Sequence, residues 1–76
     1  MQDRNLESIR LERKLSHNEI ADLSGISRSF YTLIENGNRT PSIGVAKKIS
    51  LALNLTLDEF FYALEVTKRN INNHSA

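Results

Sequence analysis

Apolar residues recur along the chain at spacings of three and four, in five short blocks parted by polar or glycine-bearing turns. The first block predicts a helix from about Asn5 to Arg13, with Leu6, Ile9 and the following Leu15 turned to a core. Ser16-His17-Asn18-Glu19 then has the Ser-x-x-Glu form of a capping box, in which hydroxyl and carboxylate answer each other's backbone amides. It opens a short second helix, with Ile20, Ala21 and Leu23 wholly or partly inward, that stops at Gly25, where a chain leaving a helix often needs a positive φ. Ser27 caps a third helix to about Glu35, ended by Asn36-Gly37. Pro41-Ser42 starts a fourth, with Ile43, Ala46, Ile49 and Leu53 on one stripe. Leu55 falls in the connection, and Thr56-Leu57-Asp58-Glu59 is a second capping box opening a fifth helix with Phe60, Phe61 and Leu64. From Lys68 onward the residues are polar and asparagine-rich, which predicts a flexible tail over 68–76 behind a domain over 1–67. With no strand-like alternation and no proline inside a helix, the expected fold is all-α, a compact five-helix bundle.

Within that bundle, residues 17–36 stand apart. Two short helices meet at the tight turn Ala21-Asp22-Leu23-Ser24-Gly25-Ile26, where Ala21 lets the helices cross closely and Gly25 makes the turn. Ile20, Ile26, Tyr31 and Ile34 supply the apolar contacts that set the crossing angle. This is the arrangement of a helix-turn-helix, which holds its second helix proud of the body, ready for a groove about 12 Å wide.

Composition narrows the chemistry. The chain has 76 residues, no cysteine and a net charge of +1, so one domain with a modest core is expected, without disulfide or thiolate metal site. The start of the chain has no long apolar run, so neither a cleaved signal nor a membrane span is expected, and the predicted location is cytoplasmic. So small a net charge does not by itself argue for nucleic acid; the placement of the charges must do so. His17 and His74 lack a second ligand at useful spacing, so no metal is expected. Asp58 and Glu59 suit the first turn of a helix rather than an acid–base pair, and no serine or histidine stands as a nucleophile. No enzymatic activity, cofactor or small-molecule effector is expected.

Arg10, the Ser16-x-x-Glu19-x-Ala21 run, Gly25-Ile26-Ser27-Arg28-Ser29, Ile34-Glu35-Asn36-Gly37-Asn38-Arg39-Thr40-Pro41-Ser42 and Lys48-Ile49-Ser50-Leu51-Ala52-Leu53 follow one another in fixed order. Over roughly residues 5–62 the chain resembles the phage-repressor and Cro-type helix-turn-helix family, also called XRE-like. The resemblance implies a five-helix fold, double-stranded operator DNA as partner, and a two-fold symmetric homodimer on a palindromic site. It places His17 beside a DNA phosphate, and Ser27, Arg28, Ser29, Thr32 and Leu33 on the face that reads the groove, with Arg28 suited to guanine. Asn36, Asn38, Arg39 and Thr40 match the loop that holds the phosphate backbone, and Arg10 with Glu35 matches a buried ion pair.

The chain departs from the family pattern at several points. Lys14 stands where glycine is common, so the turn after the first helix is open to reshaping. Leu33 replaces a polar residue, which exchanges a hydrogen bond for contact with a thymine methyl. Tyr31 replaces an aliphatic core residue, and Gly44 weakens the start of the fourth helix. Leu11 and Leu51 fall at usually polar positions, either as a partner surface or as ordinary exposed leucines. Because the second and third helices must stay free for DNA, the expected dimer surface is Leu51 with Phe61, Tyr62 and Val66. The functional expectation is a transcriptional regulator, a repressor or a restriction–modification-type controller. The alternative is an antitoxin-type interaction module, against which stands a tail with Ile71 as its one apolar anchor.

Overall fold

The computed structural model describes residues 4–75, with side chains as far as Arg69. Those residues form five helices: α1 (Leu6–Glu12), α2 (His17–Ser24), α3 (Arg28–Glu35), α4 (Ile43–Leu53) and α5 (Leu57–Ser75). The N-caps explain the boundaries. Asn5, Ser16, Ser27 and Ser42 each accept a backbone N–H from three residues on, satisfying a donor that the first helical turn leaves orphaned. Both capping boxes close. Glu19 N donates to Ser16 Oγ at 3.0 Å and Ser16 N to Glu19 Oε1 at 2.7 Å. The same exchange joins Thr56 and Glu59 at 3.1 and 2.8 Å.

α2 packs on α3 and α4, α4 on α5, and α5 also on α1 and α3. Leu6, Ile20, Tyr31, Ile34, Ile49, Leu53 and Phe60 meet at the centre, fully buried. Truncating one of these to alanine removes apolar contact and leaves a cavity, at a cost of about 2–5 kcal/mol. Two polar clamps fix α1 on this core. Its first amide, Leu6 N, donates to Thr67 Oγ1 at 3.2 Å, and Arg13 Nε donates to the Leu53 carbonyl at 2.8 Å. The second bond sets a cation at the C-terminal end of α4, where the helix dipole welcomes it.

Four details differ from the sequence expectation. Leu23 is 62% exposed, because α2 buries Ile20, Ala21 and Ser24, and at about 100° per residue Leu23 falls on the flank of that stripe. Ile43 is 55% exposed; it is the first residue of α4 and projects beyond the end of the core that Ala46, Ile49 and Leu53 enter. Val66, expected on the dimer surface, is buried in the monomer at 3% exposure. α5 continues to Ser75, through the stretch read as tail. Ser24 Oγ is buried without a hydrogen-bond partner, and we have no physical account of it.

The turn after α1 keeps the left-handed backbone that glycine would adopt, with Lys14 at φ +58°. A residue with a Cβ is strained there by about 1–2 kcal/mol, while glycine costs about 0.5–1 kcal/mol more chain entropy on folding. Lys14→Gly should therefore raise stability by roughly 0.5–1 kcal/mol, or a few degrees in Tm, in a thermal melt. An unchanged or lower Tm would mean that the lysine side chain recovers the strain elsewhere.

Candidate nucleic-acid interface

α2 and α3 are joined by Gly25, at φ +68°, and the Ile26 amide donates back to the Ala21 carbonyl at 3.0 Å. A methyl at Gly25 would fit, the nearest atom being Lys48 Nζ at 3.7 Å, so the backbone angle and not space requires glycine. Ile26 and Phe30 pack on the core from one side of the turn and α3, which leaves the opposite side of α3 to solvent. There Arg28, Ser29, Thr32 and Leu33 line an open depression. Arg28 sits in the first turn and is exposed, while Leu33 is 38% exposed. Ser27 Oγ accepts from Phe30 N at 3.0 Å, which leaves its hydroxyl hydrogen free to donate outward.

α3 ends at Asn36, and Gly37, at φ +81°, turns the chain. The amides of Asn38 and Arg39 both return to the Leu33 carbonyl, at 2.9 and 3.2 Å, so the loop is folded back onto the end of α3. Arg39 lies over the Phe30 ring, 5.8 Å from its centroid, an attraction between cation and ring face that restricts the side chain. Lys68 Nζ donates to Thr40 Oγ1 at 2.6 Å. That contact brings a cation from α5 beside the loop.

Beneath this surface lies a buried carboxylate with four bonds. Arg10 Nε reaches Glu35 Oε1 at 2.8 Å and Arg10 NH2 reaches Oε2 at 3.2 Å, with Arg10 8% and Glu35 7% exposed. Tyr31 donates its hydroxyl to Oε1 at 2.8 Å, and His17 Nε2 meets Oε2 at 3.0 Å. Burial alone would raise the Glu35 pKa, but the bonds from Arg10, Tyr31 and His17 outweigh it, and the carboxyl lies below its ordinary range. Burial and then the neighbouring Glu35 charge push the Tyr31 hydroxyl well above its ordinary value, so it stays a donor. Arg10 also donates to the Leu15 carbonyl at 2.8 Å, tying the α1–α2 turn into the same network.

An interface of this form, a small helical pair with an exposed second helix and a basic loop behind it, belongs to proteins that enter a DNA groove. The chain matches the helix-turn-helix family over residues 6–60. It belongs to the XRE-type helix-turn-helix family. It is 43% identical over 56 residues to an uncharacterized HTH-type transcriptional regulator, YqaF, of Bacillus subtilis, covering 74% of each chain. It is 38% identical over 61 residues to the control protein C.MunI of a Mycoplasma species, covering 79% of this chain and 82% of that one. A third relative, the HTH-type transcriptional repressor RghR of Bacillus subtilis, is 38% identical over 58 residues, 75% of this chain but 43% of the longer relative. No solved structure matches. The chain is a DNA-binding transcriptional regulator. No helix among the described residues is long and apolar enough to cross a membrane, and none of their His, Cys, Asp and Glu side chains group for a metal ion.

Of the family positions, Arg28, Ser29, Thr32 and Leu33 fall on one side of α3, Ser27 caps its start, and Asn36, Asn38, Arg39 and Thr40 lie at its end and in the following loop. His17 is tied into the protein. Its ring is 24% exposed at the side chain and is held at both nitrogens, by Glu35 and by Thr32 Oγ1 at 3.2 Å. Three contributors escaped sequence reasoning. The pattern shows Tyr31 only as a core residue in place of an aliphatic one, although its spacing of four from Glu35 on one helix is a visible signal. Phe30 beneath Arg39 and Lys68 beside Thr40 had no such signal, since the second pair is 28 positions apart.

Proposed function

We propose that this regulator binds a palindromic operator as a homodimer in the cytoplasm, as a repressor or a controller that responds to its own concentration and to no small-molecule effector. The observation that carries this is the exposed side of α3, where Arg28, Ser29, Thr32 and Leu33 converge above a rigid, ion-paired base. Backbone phosphates would be held by the loop residues Asn36, Asn38, Arg39 and Thr40, joined by Lys68 from α5. A relative named as a control protein and another named as a transcriptional repressor support both forms of regulation.

The second copy would dock away from α3. Leu51 is 81% exposed and Tyr62 52%, with Leu55 between them lining the hollow beside each. Phe61 is half-buried and packs edge-on against Phe60, so it serves the core as well as this surface. A dimer presenting two recognition helices about 34 Å apart would read two half-sites on one side of the duplex.

Selection of duplexes from a random pool should return an inverted repeat, and sedimentation should show a dimer at the same concentrations. Leu51→Asp and Tyr62→Asp should give folded monomers with weakened operator binding. Dimers that persist in both variants would place the interface elsewhere. A wild type that selects no sequence at all would remove the DNA-reading role and favour a protein-interaction module of antitoxin type.

A further inference from the structure

Two buried helical hydroxyls of this chain, on Ser50 and Thr67, take an ordinary outlet, the carbonyl four residues back. Ser50 Oγ donates to the Ala46 carbonyl at 2.7 Å and Thr67 Oγ1 to the Ala63 carbonyl at 3.0 Å. Thr32 does otherwise. Its hydroxyl turns across to α2 and meets His17 Nδ1 at 3.2 Å, while the other ring nitrogen meets Glu35 Oε2 at 3.0 Å.

The proton positions along this line follow from chemistry. Glu35 is held ionised by its bond to Arg10, and an ionised carboxylate only accepts hydrogen bonds. His17 Nε2 must therefore carry hydrogen. In the neutral ring that leaves Nδ1 bare, an acceptor, so Thr32 must spend its one hydrogen on Nδ1. What Thr32 then offers to the depression it shares with Arg28, Ser29 and Leu33 is lone pairs alone.

We propose that His17 is a positioning residue for sequence reading: through the Glu35–His17–Thr32 relay it makes Thr32 a pure acceptor in the groove. Thr32 then selects a base that presents an amino group there, adenine through N6 or cytosine through N4. This rests on α3 being the element that reads DNA. It gives His17 a role separate from phosphate contact, because both ring nitrogens are engaged within the protein.

The relay has a second state. When the ring takes another proton, Nδ1 becomes a donor and Thr32 must accept from it. The threonine hydrogen is then released toward an acceptor edge, guanine O6 and N7 or thymine O4. The titratable groups against the ring are Glu35 and Tyr31 from α3, and Arg10 from α1 donates to the same Glu35 oxygen that the ring meets. α4, packed on the same helix, brings Lys48 to its far end at Gly25.

Two measurements on the full chain test this. In nitrogen-15 spectra of the free protein, at a pH where they show a single proton on the His17 ring, that proton should be on Nε2 with Nδ1 bare. The opposite tautomer would overturn the relay. In duplex selections at that pH, wild type should favour adenine or cytosine by about three- to tenfold at one position of each half-site, the size of a single hydrogen bond. Thr32→Val, which keeps the shape and removes the hydroxyl, should lose that preference and keep the others. At a pH where the spectra show both ring nitrogens protonated, the preferred base at that position should change to guanine or thymine in wild type and not in Thr32→Val. Identical preferences in the two proteins at every position, with both still selecting a sequence, would overturn the relay and leave the DNA-reading role standing. Selection of no sequence by wild type would remove both.

Discussion

Glu35→Ala and Arg10→Ala should each destabilise the protein by about 3 kcal/mol, a large part of the stability of so small a domain. The pair is buried, so removing either member strands the other charge where water cannot solvate it. Glu35→Ala also leaves the Tyr31 hydroxyl without its acceptor and His17 without its anchor, while Arg10→Ala leaves the carboxylate two of its four bonds. Arg10→Ala should therefore be the milder change. Replacing both residues by apolar ones should cost less than either single change, because no charge remains to be desolvated. Thermal and denaturant melts of the three variants decide this. Losses within about 0.5 kcal/mol for both single variants would mean that the pair is solvated in solution.

The same site makes stability depend on pH, with a definite sign. The Glu35 carboxyl titrates below its ordinary value in the folded protein. Its contribution is therefore complete above the unfolded value near pH 4.3 and is lost as pH falls through the lower folded value. Wild type should weaken on acidification through that window, and Glu35→Ala should lack this part of the slope.

Arg28 and Arg39 should fail in different ways on DNA. Arg28 stands in the first turn of α3, exposed, at the end of the helix that enters deepest in a helix-turn-helix complex. Its planar fork can donate twice to guanine O6 and N7, so Arg28→Ala should cost about 1–3 kcal/mol per half-site and relax the preference at one base pair. Arg39 lies in the folded-back loop, steadied over Phe30, and the contact proposed for it is with a phosphate. Arg39→Ala should weaken cognate and scrambled duplexes by similar factors and lower the slope of log affinity against log salt by about one per half-site. Lys68→Ala should behave like Arg39→Ala if its ammonium serves the same strand. Titrations on both duplexes across several salt concentrations separate these outcomes. An Arg28→Ala variant that weakens both duplexes equally, with base preference intact, would reassign Arg28 to the backbone.

How much of this was legible in the chain divides along the range of the interactions. The sequence alone determined the five helices, because their signals are local: Ser16, Ser27, Ser42 and Thr56 cap amides three residues away, and Gly25 turns within one residue. It also determined the helix-turn-helix and its family, since Ala21, Gly25, Ile26 and Tyr31 lie within a few turns of one another. Where an amphipathic stripe meets a helix end, periodicity misled, as at Ile43, because the pattern carries the direction of a side chain and not the extent of the core beneath it. Apart from Arg10 and Glu35, which the resemblance to the family already pairs, tertiary structure alone decided which distant polar groups meet. Arg10 and Glu35 are 25 positions apart, His17 and Glu35 are 18, and Lys68 and Thr40 are 28, and each pair meets only after separate helices have packed. It decided likewise that Val66 fills the core and that Thr32 answers to His17 rather than to its own helix. A hydrogen bond needs its partners within about 3 Å and correctly aimed. Residue order sets that only for near neighbours, and for distant ones the packed core sets it.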